Sequence, residues 1–234
     1  WGGSKIESWI NKEVYTEKFP EISLSVLTKD PKDIARPKDE PTLLYNAMIH
    51  PIKQFTIKGT IWYQGESNLN NPQVYKRLFP AMVRSWRKEW NQGEFPFYYV
   101  QIAPYDYGRK NADKTEAAEI RQVQLECLKE IPNAGMVVTA DIGNRTCVHP
   151  SDKESVGKRL ALWALAKTYQ RSGTPYSGPL YKSFTIDKEK IIVEFDYAEM
   201  GMTSYDREIV GFEIAGKDGI YYPAKAVLFD NKTK

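Results

Sequence analysis

Five apolar residues, Val74, Leu78, Met82, Trp86 and Trp90, recur every four positions soon after the β-type run Ile57 to Tyr63, and that succession constrains the fold most. Residues four apart share one face of an α-helix, so Pro72 to Trp90 reads as a helix with a single apolar stripe, and Gly93 is placed to end it. The alternation then repeats. Phe95 to Ala103 is aromatic and β-branched and reads as a buried strand. Thr115 to Ile131 carries Ile120, Val123, Cys127, Leu128 and Ile131 and reads as a second helix, and Gly135 to Ala140 as another strand. Ser151 with Glu154 forms a capping box for a third helix bearing Val156, Leu160, Trp163 and Ala164. Strand–helix units in this order predict an α/β fold with a parallel sheet and right-handed crossovers.

Around this unit the texture differs. Residues 11–41 are charged and punctuated by Pro20, Pro31, Pro37 and Pro41, the pattern of a long surface connection, and a helical piece is expected from Thr42 to His50. From about Ser177 short strands between turn residues predominate: Phe184 to Ile186, Ile191 to Phe195, Ile209 to Ile214 and Ala226 to Phe229. The expected division is therefore an α/β domain over 1–176 and the start of a β-rich appendage over 177–234. Trp1-Gly2-Gly3 at one end and a strand-like run at the other read as a segment cut at both ends, so the chain carries no information about a targeting signal.

A formal net charge of +3, with charges interspersed, gives no basic stripe for nucleic acid. No apolar run approaches the roughly 18–20 residues of a membrane span. Two histidines and two distant cysteines offer no metal-ligand spacing, and no glycine-rich strand–helix turn marks a phosphate site. Cys127 and Cys147 could pair in an oxidising compartment; two separate thiols is the favoured reading.

In an open α/β sheet, ligands bind at loops beyond the carboxyl ends of the strands. Two such loops carry reactive groups. Trp62-Tyr63-Gln64-Gly65-Glu66-Ser67-Asn68 combines a glycine that permits a tight approach, a carboxylate that could orient a histidine, and amides suited to an oxyanion. The bland alternative is a polar loop in which Glu66 caps a helix and Asn68 makes a turn. His149-Pro150 precedes the third helix, whose positive end would help keep an imidazole neutral, as a general base requires; it reads equally as a loop terminator. His50, before Pro51, reads as structural. Ser67 is followed two positions later by leucine, so the nucleophile-elbow pattern is not met. Trp62, Tyr63 and Tyr105 lie near these loops, although core packing suits Trp62 better.

Taken together, Trp1-Gly2-Gly3-Ser4-Lys5-Ile6-Glu7-Ser8-Trp9, Leu44 to Ile49, Ile57 to Asn68, Phe95 to Pro104, Arg121 to Gln124 and His149-Pro150-Ser151-Asp152-Lys153 with Val156 to Ala161 resemble the sialate O-acetylesterase family of SGNH-type hydrolases. The set is similar also to the related acetylxylan esterases, and it covers nearly the whole chain in the family's order. The resemblance implies an SGNH/flavodoxin-like three-layer fold and a carbohydrate O-acetylesterase without metal or organic cofactor, sialate 9-O-acetylesterase-like or, alternatively, an acetylxylan esterase.

By the same resemblance His149 is the general base, Gly2 or Gly3 the oxyanion-hole glycine, and Asn68, with Gln64 beside it, the second oxyanion donor. The family's nucleophilic serine sits in a block ahead of the Gly-Gly block. It is therefore expected on an N-terminal segment or separate chain not included here, which would be a partner of this one besides the acetylated carbohydrate. The family commonly has an aspartate two or three positions before the histidine; here Cys147 and Thr146 stand there. Either a serine–histidine dyad operates or Glu66 supplies the carboxylate from across the cleft, and Glu66 is favoured. A non-catalytic carbohydrate-binding relative is the competing expectation. A secreted, periplasmic or lysosomal location is implied by the family alone.

Overall fold

The computed structural model describes residues 1–107, 115–199 and 201–228. The chain divides into two compact units, Trp1–Tyr176 and the remainder from Ser177 on.

The first unit is built on a 3-stranded parallel sheet, β1 (Thr60–Tyr63), β2 (Phe97–Val100) and β3 (Ala134–Val137), in the order β1-β2-β3. The register aligns Trp62, Tyr99 and Met136 across the strands. Because side chains alternate between the faces of a strand, Trp62, Phe97, Tyr99 and Met136 point one way, and Tyr98, Val100 and Val137 the other. Helices α2 (Pro72–Trp90) and α3 (Glu116–Glu130) cover the first face, and α4 (Lys153–Trp163) covers the second. The result is three layers, as expected. Chain runs buried on both faces read as near-continuous apolar segments, which is why β2 is so plain in the sequence.

The stripe on α2 does what its spacing dictates: Leu78, Met82 and Trp86 are buried against the sheet, with Trp62 set edge-on between Trp9 and Trp86 at 5.4 and 5.6 Å. Edge-to-face rings add about 0.5–1.5 kcal/mol per pair beyond their burial. Pro80 lies inside this helix and lacks the N–H that would bond the carbonyl of Lys76. The thiol of Cys127 on α3 donates to that carbonyl at 4.0 Å, so a weak donor from the neighbouring helix faces the freed acceptor. On the opposite face the Trp163 ring of α4 lies directly on Gly135, where any Cβ would collide with it, and its indole N–H donates to the Met136 carbonyl at 3.1 Å.

Local details depart from the sequence expectations in instructive ways. Asn91, in the left-handed conformation, ends α2, two residues before Gly93. Helix α4 is capped by Asp152, whose Oδ1 accepts from the Ser155 N–H at 2.9 Å, while Glu154 pairs with Lys158; the expected Ser151–Glu154 box does not form. A carboxylate is the stronger acceptor for a helix N-terminus, and it moves the start by one residue. The supposed surface connection contains helix α1 (Lys12–Lys18), and Tyr15 and Phe19 are buried. The piece expected from Thr42 to His50 is a π-helical turn over Tyr45–Ile49, continued by a 3-10 turn over His50–Ile52. Cys127 is buried and Cys147 exposed, each a free thiol.

In the second unit β4 (Leu180–Asp187) pairs antiparallel with β5 (Lys190–Asp196), and β6 (Glu213–Ala215) with β7 (Tyr221–Pro223). An isolated bridge joins Ile209 to Ala226, and Phe229 lies outside the described residues. No helix among the described residues is long and apolar enough to cross a membrane.

Candidate active site

At the carboxyl end of β1 the chain must turn into α2, and residue type decides how. Gly65 sits so close to its surroundings that a Cβ would meet Ile102 Cγ2 at 2.6 Å and the Gln124 amide at 2.9 Å. Only glycine lets the backbone pass there. The turn is then fixed by buried hydrogen bonds: Gln124 Nε2 donates to the Gln64 carbonyl at 3.1 Å, and Gln124 Oε1 accepts from the Ile102 N–H at 2.9 Å. Asn68, 3% exposed, accepts from the Ile6 N–H at 3.0 Å and from Gln64 Nε2 at 2.7 Å, and donates to Glu7 at 2.7 Å. Gln64 Nε2 also donates to the Ser4 carbonyl at 2.9 Å. These bonds tie the N-terminal segment to the β1 loop over some sixty residues of sequence.

The arrangement opens a cavity of about 350 Å³ lined by Trp1, Gly2, Gly3, Ser4 and Trp9 from the N-terminal segment, by Trp62 to Gln64, Glu66 and Ser67 from the β1 loop, and by Val148, His149 and Lys153 around the start of α4. Of the residues singled out from sequence, Gly2, Gly3, Gln64, Glu66 and His149 meet here. Asn68 lies behind the wall, its amide engaged with Glu7, Ile6 and Gln64. Trp62 belongs to both core and wall, Tyr63 to the wall, and Tyr105 packs edge-on against Tyr107 at 4.8 Å without lining the cavity.

The donors and acceptors are unevenly used. The N–H groups of Gly2 and Gly3 bond to no described residue, and Gly3 turns the chain with φ 64°. Gln64 engages its Nε2 as donor to Ser4 and Asn68 and leaves its buried Oε1 without a partner among the described residues. Ser4 Oγ donates to the Trp1 carbonyl at 3.2 Å and accepts from the Trp9 indole at 2.9 Å, whereas the Ser67 hydroxyl bonds to no described residue.

Glu66 is partly buried, and burial raises its carboxyl above the ordinary glutamate range; its own backbone N–H and the charges of His149 and Lys153 oppose that rise. The imidazole is exposed and forms no hydrogen bond with the carboxylate, so it acts on Glu66 through space. The Tyr63 phenol is pushed up to about 12 by burial and by Glu66. Tyr107 is raised further for the same reasons, and its buried hydroxyl has no partner among the described residues. The loop before His149 is held from its other side: Asn144 Oδ1 accepts from the N–H groups of Thr146 and Cys147, and the Cys147 thiol donates to the His149 carbonyl at 3.2 Å.

Sequence reasoning gave no role to Gln124, Tyr107 or Lys153, although Gln124 and Lys153 stand in the blocks that carry the resemblance. Only Lys153 carried a local signal, four residues beyond the histidine in the first turn of a helix.

Residues 1–166 match the model of a family described as carbohydrate esterase, sialic acid-specific acetylesterase. Human sialate O-acetylesterase is 31% identical over 214 residues, covering 84% of this chain and 40% of that protein. The mouse sialate O-acetylesterase is 34% identical over 163 residues, covering 62% of this chain and 30% of that protein. Among solved structures, a carbohydrate acetylesterase from Xanthomonas citri superposes with a TM-score of 0.83 at 34% identity, over 99% of this chain and 50% of that one. The chain thus spans well under half the length of the curated relatives it matches. With the family match spanning residues 1–166 and these similarities beside it, the chain belongs to the sialic acid-specific acetylesterase family of carbohydrate esterases.

Proposed function

We propose that this chain forms the greater part of the active site of a carbohydrate O-acetylesterase, sialate 9-O-acetylesterase-like, that removes acetyl groups from sugar hydroxyls by serine–histidine acyl transfer. The observation that carries the proposal is the convergence of Gly2, Gly3, Gln64, Glu66 and His149, from three separate stretches of chain, on one cavity. A serine hydroxyl surrenders its proton to His149 and attacks the acetyl carbonyl. The oxyanion that forms is met by the unengaged N–H groups of Gly2 and Gly3, and by Gln64 Nε2 once it gives up its contact with Ser4. The sugar alcohol leaves with the proton held by His149. Water, activated by the same imidazole, then releases acetate. Glu66 favours the imidazolium that arises in each step, because a carboxylate withdrawn from water acts at longer range than one in solvent.

The nucleophile belongs to a segment outside this sequence, on the same polypeptide or a cleaved partner. Two facts support that assignment: Ser4 is engaged twice, and the matched relatives are more than twice as long as the span they share with this chain. Asn68 serves as the anchor that sets Gln64 and the N-terminal segment. The family points to a secreted, periplasmic or lysosomal protein. Acetylxylan is the alternative substrate, and a non-catalytic carbohydrate-binding protein the alternative function.

The test uses the full-length protein with p-nitrophenyl acetate and 9-O-acetylated sialic acid. Acetate release that disappears on mutation of an upstream serine and survives in Ser67→Ala is the expected result. Release that depends on Ser67 would move the nucleophile into this chain. Sugar binding without release would favour the non-catalytic function.

A further inference from the structure

Lys153 opens helix α4, and it is the only lysine or arginine among the described residues lining the cavity that holds Glu66 and His149. Its Nζ stands 5.2 Å from the centre of the Tyr63 ring. Other cations on the same helix are spent in ion pairs: Lys158 with Glu154 at 2.6 Å, and Arg159 with Asp141 at 2.5 Å. Lys153 has no such partner among the described residues. The helix end itself is already served by Asp152, so the open cationic group at this wall is the ammonium head.

Given the esterase activity proposed above, on which this rests, we propose that Lys153 binds the carboxylate of an acidic sugar and so selects acetyl esters of anionic over neutral glycans. Lys153 acts on the Glu66 carboxylate through space, as His149 does, and no ion pair among the described residues ties its ammonium down. During each acyl-transfer step the Glu66 carboxylate faces the imidazolium of His149, and the Lys153 ammonium is left for the substrate. A lysine head offers three rotatable N–H donors, and a charge-assisted bond to a carboxylate is about twice as strong as a neutral one. Trp1 on the same wall supplies apolar surface for the C–H face of a sugar ring. A neutral acetylated xylose unit would use that surface and leave the ammonium unpaired.

The full-length protein is assayed with 9-O-acetylated sialic acid and with the carboxyl methyl ester of the same sugar, which differs only in charge. The wild type is expected to prefer the acid. In Lys153→Gln the ratio of the two kcat/KM values falls about 10- to 100-fold, chiefly through KM for the acid, while Lys153→Arg keeps most of the preference. A ratio that stays unchanged in Lys153→Gln, with both rates lowered alike, overturns the proposal. Calorimetric titration with the deacetylated acid and its methyl ester reads the same preference without turnover. Wild-type protein that binds both equally also overturns it. If neither substrate is hydrolysed but the acid still binds more tightly through Lys153, the esterase activity fails and the carboxylate site stands.

Discussion

The loops that follow β1 and β3 bring Glu66 and His149 to the cavity, yet they are built differently. The β1 loop is buried and cross-braced by Gln64, Asn68 and Gln124, whose hydrogen bonds reach residues about sixty positions away. The loop ahead of α4 is exposed: Asn144 turns onto Thr146 and Cys147, Arg159 clamps Asp141, and the longer ties are two backbone bonds to the β2 loop, Asn144 N–H to the Pro104 carbonyl at 3.2 Å and Asp106 N–H to the Arg145 carbonyl at 3.0 Å. The difference teaches where precision resides in this site. The turn that carries Glu66 and the Ser4–Glu7 stretch are fixed by buried hydrogen bonds, while His149 follows an exposed turn. Buried polar networks specify geometry because every unmade bond is costly, and exposed turns exchange their bonds with water.

The contrast can be broken or sharpened by mutation. The largest effect is expected from His149→Ala in the full-length protein, where acetyl ester turnover falls by about a thousandfold or more while the melting temperature barely moves, because the imidazole is exposed. Steady-state kinetics and a thermal melt check both halves. Glu66→Gln comes next. Turnover should drop about tenfold or more, less than for a directly hydrogen-bonded triad acid. Full activity in a folded variant would favour the dyad.

Glu66 also predicts a pH dependence with a definite sign. Burial raises its carboxyl, so the folded state holds that proton more tightly than the unfolded state. The stability this provides is complete below the unfolded glutamate value of about 4.3 and is lost as pH rises through the folded value. Glu66→Gln lacks that loss, so its melting temperature should gain on the wild type as pH is raised from acid to neutral. A gap that narrows instead would mean the carboxylate is stabilised where it stands.

Smaller effects compare the loops directly. Asn68→Ala should lose about 1–3 kcal/mol in urea unfolding, because buried donors and acceptors on Ile6, Glu7 and Gln64 go unmet. Asn144→Ala, on exposed backbone, should lose about 0.5 kcal/mol or less. Equal losses would abolish the distinction between a buried and an exposed loop. Smallest in energy is the thiol test. Burial pushes Cys127 up to about 12, so native protein should show one fast-reacting thiol, Cys147, and a second only on unfolding.

What could be read from the sequence follows the range of the interaction responsible. The α2 stripe is a local periodicity, and its helix runs from Pro72 to Trp90 as the spacing predicts. The β2 and β3 runs gave the parallel order because strands buried on both faces are written as continuous apolar segments. Helix α1 escaped notice because its apolar residues are sparse among lysines and glutamates, and Tyr15 is buried by tertiary packing. In the site, Gly65, Glu66 and His149 stood out as residue types at strand ends. Gln124 could not, since its amide matters only through Gln64 and Ile102, and no spacing in the chain announces a bond across that distance. Tyr107 was silent for the same reason. The placement of Asn68 behind the cavity wall depends on the fold of residues 4–7, which no local pattern encodes.

The most direct test of the converging cavity is a crystal structure of the full-length protein after reaction with a fluorophosphonate, which traps an active serine as a tetrahedral phosphonyl ester. The structure is expected to show the adduct inside this cavity, its phosphonyl oxygen about 2.7–3.1 Å from the Gly2 or Gly3 nitrogen and its serine oxygen facing the His149 ring. An adduct on a serine outside the cavity, or one turned away from both the glycines and His149, would contradict the assignment of this site.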